Sequence, residues 1–245
     1  MKTLLSIVIP AYNEEDFIIH LLNSLRLQKF NMAKTEIIVV NNGSDDSTSN
    51  LMKEYKNQYR SLNITLAKEA KRHVSAARNK GARLAKGKLL IFLDSDNIVY
   101  SDFLFQIYTK VFVEGYEAGT IFTLAIEDSQ KGHKLFLLLE LIKLTFGKPF
   151  GKCFCSKRIF NAVGGYNKSI TIGTNLDFLL RVKKLLQQEG KMLAHIQKPI
   201  FTSLRRFEQK GYASVLIRWF LGYIGIRKVH YPMCESSRYV VSSPI

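Results

Sequence analysis

Apolar residues in the first hundred positions fall into short strand-like runs, separated by stretches in which they recur every three or four residues. The runs at 4–10, 36–41, 63–67 and 88–94 predict strands, and the periodic stretches at 14–27, 46–59 and 74–85 predict helices. Strand and helix alternating in this way is the sequence form of a parallel sheet with helices on both faces, an α/β fold. Ile37-Ile38-Val39-Val40 and Leu89-Leu90-Ile91-Phe92-Leu93 are apolar without alternation, as strands covered on both faces must be. Ligands of such sheets sit beyond the carboxyl ends of the strands, so the residues that follow each run carry the functional expectation.

The second half is less regular. It predicts a helix at 101–113, a strand at 119–126, a helical apolar stretch at 134–146, a strand-like Cys153 to Ser156, a helix at 175–188 and a basic, aromatic C-terminal segment. With no linker, repeat or low-complexity tract, the chain reads as one domain over 1–245. Residues 1–100 form the ligand-binding half, 101–203 a smaller second subregion, and 204–245 the basic amphipathic end.

Composition narrows this picture. The chain is 47% hydrophobic over 245 residues, enough for a full core, and no run of about 18 uncharged apolar residues suggests a membrane span. The apolar N-terminus leads straight into Tyr12-Asn13-Glu14 and reads as a core strand rather than a signal peptide. Cys153, Cys155 and Cys234 are an odd number with no zinc spacing or disulfide framework, so a reducing, cytoplasmic setting is expected and Cys153 and Cys155 are expected in the core. The formal charge of +16 attracts phosphates of any kind. No zinc finger, helix-turn-helix or aromatic RNA-binding strand accompanies it, so nucleic acid is not the expected partner.

Asp94-Ser95-Asp96 ends the most apolar run and delivers two carboxylates to the ligand edge. Such a pair holds Mg²⁺ or Mn²⁺ when a diphosphate supplies the remaining oxygens, although Asp-x-Asp also occurs in ordinary turns and caps. Pro10-Ala11-Tyr12-Asn13-Glu14-Glu15 follows the first run. Asn13 suits an N-cap and the two glutamates suit a helix start, while Ala11 and Tyr12 could wall a nucleobase. Asn41-Asn42-Gly43-Ser44-Asp45-Asp46-Ser47-Thr48 follows the second run as a turn and helix start, or as the opposite wall of the same crevice.

Taken in order, Ser6 to Glu14, Glu36 to Ser44, Ser75-Ala76-Ala77-Arg78-Asn79-Lys80-Gly81-Ala82, Leu93-Asp94-Ser95-Asp96 and Phe160 to Tyr166 resemble the family 2 nucleotide-sugar glycosyltransferases of GT-A fold, over roughly residues 4–183. The resemblance implies a Rossmann-like, mainly parallel sheet with a small acceptor-side subregion. It implies a nucleotide-sugar donor bordered by Pro10, Ala11, Tyr12, Glu14 and Asn41, with Arg78 near the nucleotide. Asp94 would face the ribose or a metal-bound water, Ser95 would lie between the carboxylates, and Asp96 would bind the metal and diphosphate, so Asp94 and Asp96 are the expected Mn²⁺ or Mg²⁺ residues. Transfer would be inverting, to a glycan or lipid-linked acceptor. His195 and His230 are possible extra metal ligands, a role some GT-A enzymes give a histidine.

Three positions depart from the family pattern. Asn41 and Asn42 stand where many relatives have an acid, His73 stands where glycine is common, and Gly173-Thr174-Asn175-Leu176-Asp177 lacks the Glu-Asp pair that contains the usual general base. Asp177 is the nearest substitute, worth typically 10²- to 10⁴-fold if it acts, while an already anionic lipid-phosphate acceptor needs no strong base. In the C-terminal segment, Arg205 and Arg206 could offer guanidinium donors to a diphosphate or belong to a solvated turn. The stretch at 215–228, with Trp219 and Tyr223, suits either an anionic membrane interface or a packed terminal helix. A sugar nucleotidyltransferase would need a glycine-rich loop after the first strand, which residues 10–15 lack; a non-catalytic nucleotide-sugar-binding protein is the other alternative.

Overall fold

The structure is a computed structural model and describes residues 2–127, 129–147 and 149–223. Among these residues one eight-stranded sheet forms the frame. Its strands are β1 (Leu5–Ala11), β2 (Thr35–Asn41), β3 (Ile64–Lys68), β4 (Leu89–Phe92), β5 (Asn97–Ile98), β6 (Ala118–Ala125), β7 (Lys152–Ser156) and β8 (Ala194–Thr202), arranged as β3-β2-β1-β4-β7-β6-β8-β5. The first four are parallel, with Ala11 opposite Asn41 and Val8 opposite Phe92. β7 returns antiparallel between β4 and β6, and β8 runs parallel to β6.

Parallel neighbours need crossover connections, and the predicted periodic stretches supply them. These are α1 (Ile18–Arg26), α2 (Thr48–Gln58) and α3 (Val74–Leu84); α4 (Phe103–Tyr108), α5 (Gln130–Phe146), α6 (Lys157–Ala162), α7 (Thr174–Gln188), α8 (Arg205–Lys210) and α9 (Tyr212–Tyr223) follow. All seven residues of β1 and of β2 are buried, in keeping with their unalternating apolar runs. One face of the sheet packs Leu5, Ile7 and Ile9 with Leu21, Leu25 and Met52; the other packs Val8, Ile38 and Val40 with Ala77, Phe178 and Val182. Ala77 aside, each of these side chains contributes about 1.5–3 kcal/mol by leaving water. α3 lies so close to β1 that a side-chain carbon on Gly81 would come within 2.4 Å of Val8 Cγ1. β7 places Cys153 and Cys155 in one core face and Phe154 in the other, in agreement with the alternation expected. Burial pushes the Cys153 thiol up to about 11, so it is a packing group rather than a nucleophile.

The structure also corrects several boundaries. α1 starts at Ile18 rather than Glu14, and Asn13 is not its N-cap: Asn13 takes a left-handed backbone (φ 51°) and directs its side chain to the loop after β2. The helix expected over 101–113 ends its α-helical part at Tyr108 and continues as a π-helical turn, Thr109–Val113. β8 has no counterpart among the expected strands, because its outward residues Gln197 and Lys198 break the apolar pattern. The basic C-terminal segment folds as α8 and α9 as far as Tyr223. The side chains of Arg218, Trp219 and Tyr223, and residues 224–245 with His230 and Cys234, lie outside the described residues.

Candidate functional site

The loops after β1 and β2 form one interlocked edge. Asn13 Nδ2 donates to Asp45 Oδ1 at 2.5 Å, while the Asp45 amide donates back to Asn13 Oδ1 at 3.1 Å. The amides of Asn13 and Glu14 donate to Ser44 Oγ and Thr48 Oγ1 at 3.1 and 2.8 Å. Asn41 Oδ1 accepts from the amides of Gly43 and Ser44, so its carbonyl oxygen shapes its own turn. Pro10 and Ala11 stay buried in β1, and Tyr12 is the partly exposed member of the expected base wall. The Arg72 guanidinium lies 5.0 Å from the Tyr12 ring centre and 3.6 Å from Asp45.

The end of β4 is held by charge. Asp94 Oδ1 accepts from Arg78 Nη2 at 2.7 Å, and Asp94 Oδ2 accepts from Lys152 Nζ. Arg78, buried on α3, also donates from Nη1 to Thr174 Oγ1 at 3.3 Å and stands 5.1 Å from the Tyr166 ring centre. Burial opposes ionisation of Asp94, but Lys152 and Arg78, with Arg206 beyond them, outweigh it and hold the carboxyl well below the usual range. The Asp94 amide donates to Asn97 Oδ1 at 2.9 Å, which fixes the turn containing the buried Ser95.

Asp96 points elsewhere. Its Oδ1 accepts from Thr202 Oγ1 at the end of β8 (3.1 Å) and from Asn97 Nδ2 (3.2 Å), and its Oδ2 takes no hydrogen bond among the described residues. Glu14 faces it. Burial and the negative Asp96 raise the Glu14 carboxyl to about 7, against the pull of Arg205, whose Nη2 donates to Glu14 Oε2 at 2.8 Å. Arg205 also lies 4.8 Å from the Phe17 ring centre. Arg206 is exposed, yet near enough for its charge to act on both Glu14 and Asp94.

The structure thus brings Glu14, Asp94, Asp96, Arg78, Arg205 and Arg206 to one edge. Asp177 is buried one turn beyond Thr174, and its Oδ2 accepts from Arg181 Nε and Nη2 at 3.0 and 2.8 Å. His195 pairs with Glu140 of α5 at 2.9 Å and with Thr120 of β6 at 3.0 Å, and not with Asp94 or Asp96. Sequence reasoning missed Lys152, Thr202 and Arg72. For Lys152 a signal existed: a lysine opening the Cys-Phe-Cys strand stands beside Asp94 once that strand returns antiparallel to β4.

A divalent cation fits Asp96 better than Asp94. Asp96 keeps an oxygen free among the described residues, whereas both oxygens of Asp94 already face cations. No three Asp, Glu, His or Cys side chains among the described residues form a metal cluster, so oxygens from a bound phosphate would have to complete a coordination shell.

Residues 6–167 match the model of the glycosyl transferase family 2. The glycosyltransferase AglE of Haloferax volcanii is 37% identical over 91 residues, which is 37% of this chain and 30% of that protein. The poly(ribitol-phosphate) beta-glucosyltransferase of Bacillus spizizenii is 36% identical over 104 residues, covering 42% of this chain and 16% of that protein. The chain therefore spans less than a third of the length of these relatives. Among solved structures, the mannosyltransferase PcManGT of Pyrobaculum calidifontis in complex with GDP-Man and Mn²⁺ superposes with a TM-score of 0.68 at 15% identity, over 91% of this chain and 65% of that one. TarS 1-349 of Staphylococcus aureus in complex with UDP gives 0.61 at 20% identity, over 74% and 55%. The fold is the GT-A arrangement of these proteins.

Removing the Arg78 guanidinium tests the charge cluster. Arg78→Met leaves Asp94 with Lys152 alone in a mostly buried setting and is expected to lower stability by about 3 kcal/mol, seen as a reduced urea midpoint at unchanged slope.

Proposed function

Because the chain belongs to the glycosyl transferase family 2, we propose that it moves a sugar from a nucleoside-diphosphate donor to a glycan or lipid-linked acceptor, with inversion at the sugar carbon and with help from Mn²⁺ or Mg²⁺. The observation that carries this reading is the division of labour at the end of β4, where Asp94 is locked to Arg78 and Lys152 while Asp96 keeps a free oxygen beside Glu14.

In this reading Tyr12 and Asn41 border the base and ribose, and Pro10 and Ala11 form the floor beneath them. Arg78 keeps Asp94 ionised and aimed at the ribose side, and Ser95 holds the turn between the two carboxylates. Arg205, Arg206 and Lys152 are the cations nearest the diphosphate, and guanidinium groups suit its oxygens. A Mn²⁺ or Mg²⁺ ion on Asp96 would neutralise charge on the leaving diphosphate. The archaeal neighbour's complex with GDP-Man and Mn²⁺, and the staphylococcal neighbour's complex with UDP, support a donor and a metal of these classes.

The pairing of Asp177 with Arg181, whose Nε and Nη2 already occupy its Oδ2, favours an acceptor whose attacking oxygen is already anionic, such as a lipid phosphate. The alternative is a neutral hydroxyl, with acceptor binding drawing Arg181 away so that Asp177 takes the proton.

With purified protein and a panel of UDP- and GDP-sugars, nucleoside diphosphate release is expected to require Mn²⁺ or Mg²⁺ and to stop in EDTA. Asp96→Asn is expected to lower kcat/KM by about a hundredfold or more. Full turnover in EDTA would remove the metal from the mechanism; nucleotide binding without turnover of any sugar would make this a binding protein. For Asp177→Asn, kcat is expected to stay within about tenfold of wild type, and a loss of 10²- to 10⁴-fold would identify Asp177 as the base.

A further inference from the structure

α5 is apolar on two sides. Its inner side sets Leu135 and Phe136 against Ala125, Leu204, Phe207 and Val215, and turns Glu140 towards His195 and Lys143. On the outer side Leu137, Leu138, Leu141 and Leu144 are 53% to 61% exposed. Their spacing is one helical face, and the same face continues towards the N-terminal end through the exposed Lys134 and Lys131. A helix that is apolar all round is normally buried, and four adjacent exposed leucines are more than the single apolar residues scattered on ordinary surfaces. α9, joined to α5 through that inner cluster, adds exposed Ile217 and Phe220.

What covers this face must be apolar and must accept positive charge. The one acid of α5 among its described residues, Glu140, points inward, so the leucine and lysine face carries no carboxylate. The chain as a whole carries a formal charge of +16. A second copy would set lysines against lysines under that mutual repulsion. No helix among the described residues is long and apolar enough to cross a bilayer. We propose that the outer face of α5 docks on an anionic phospholipid surface, with its leucines in the headgroup boundary and Lys131 and Lys134 on lipid phosphates. None of these exposed residues is among the groups gathered at the carboxylate edge, so docking is testable apart from the transfer chemistry.

The test is flotation of the full chain with vesicles of phosphatidylcholine alone and of phosphatidylcholine mixed with phosphatidylglycerol, for wild type and the double variant Leu138→Glu/Leu141→Glu. Both substitutions are at exposed positions, and an unchanged melting curve and nucleotide affinity check that the fold is intact. Wild type is expected to float with the anionic vesicles, less so as salt rises, and the double variant to bind about tenfold more weakly or worse. Three results would overturn the proposal. One is no binding of wild type to anionic vesicles. Another is equal binding by both proteins, which would move the contact to another part of the chain. The third is a dimer in sedimentation that the double variant breaks while vesicles are ignored, which would make a second copy the occupant.

Discussion

A carboxylate at the end of a buried strand stays ionised only if something positive meets it there, and Asp94 is met by two cations from different elements. Arg78 comes from α3 and Lys152 from the start of β7, and Arg78 reaches on to Thr174 at the start of α7. Elements that are far apart in sequence are thereby tied to the end of β4. The tie is what allows the next turn to be rigid: with Asp94 fixed and Asn97 holding its amide, Asp96 is directed towards Thr202 and Glu14 and not into the core.

A second polar unit answers the first from the other side. Glu14 and Asp96 are two acids close enough to disturb each other, and burial makes the repulsion worse, which is why the Glu14 carboxyl rises to about 7. Arg205 relieves part of this, and since it sits on α8 it draws the C-terminal part of the chain onto the loop after β1. The edge therefore alternates acids and bases, with one carboxylate saturated by protein cations and one still able to take a ligand. In the proposed reading, that asymmetry gives Asp94 and Asp96 different tasks even though they are two residues apart.

The parallel half of the sheet was legible because its signal is local. Four short strand-like runs and three periodic stretches define β1 to β4 and α1 to α3 with no reference to distant residues. The candidate acids and Arg78 were legible because they follow such runs or fall in ordered motifs. What could not be read were pairings that depend on how the second half returns. Lys152 joins Asp94 only because β7 is antiparallel to β4, and Thr202 reaches Asp96 only because β8 ends beside β5. Asn13 was misread for a related reason. Taken alone it is a good helix cap, but its left-handed backbone and its two bonds to Asp45 come from a loop more than thirty residues away.

Anomalous diffraction from crystals soaked with Mn²⁺ and a nucleoside diphosphate is the most direct measurement of this account. It predicts a manganese peak at the free oxygen of Asp96, with the diphosphate beside Arg205 and Asp94 still held by Arg78 and Lys152. A peak away from Asp96, or an Asp94 that has left both cations to bind the ion itself, would contradict it.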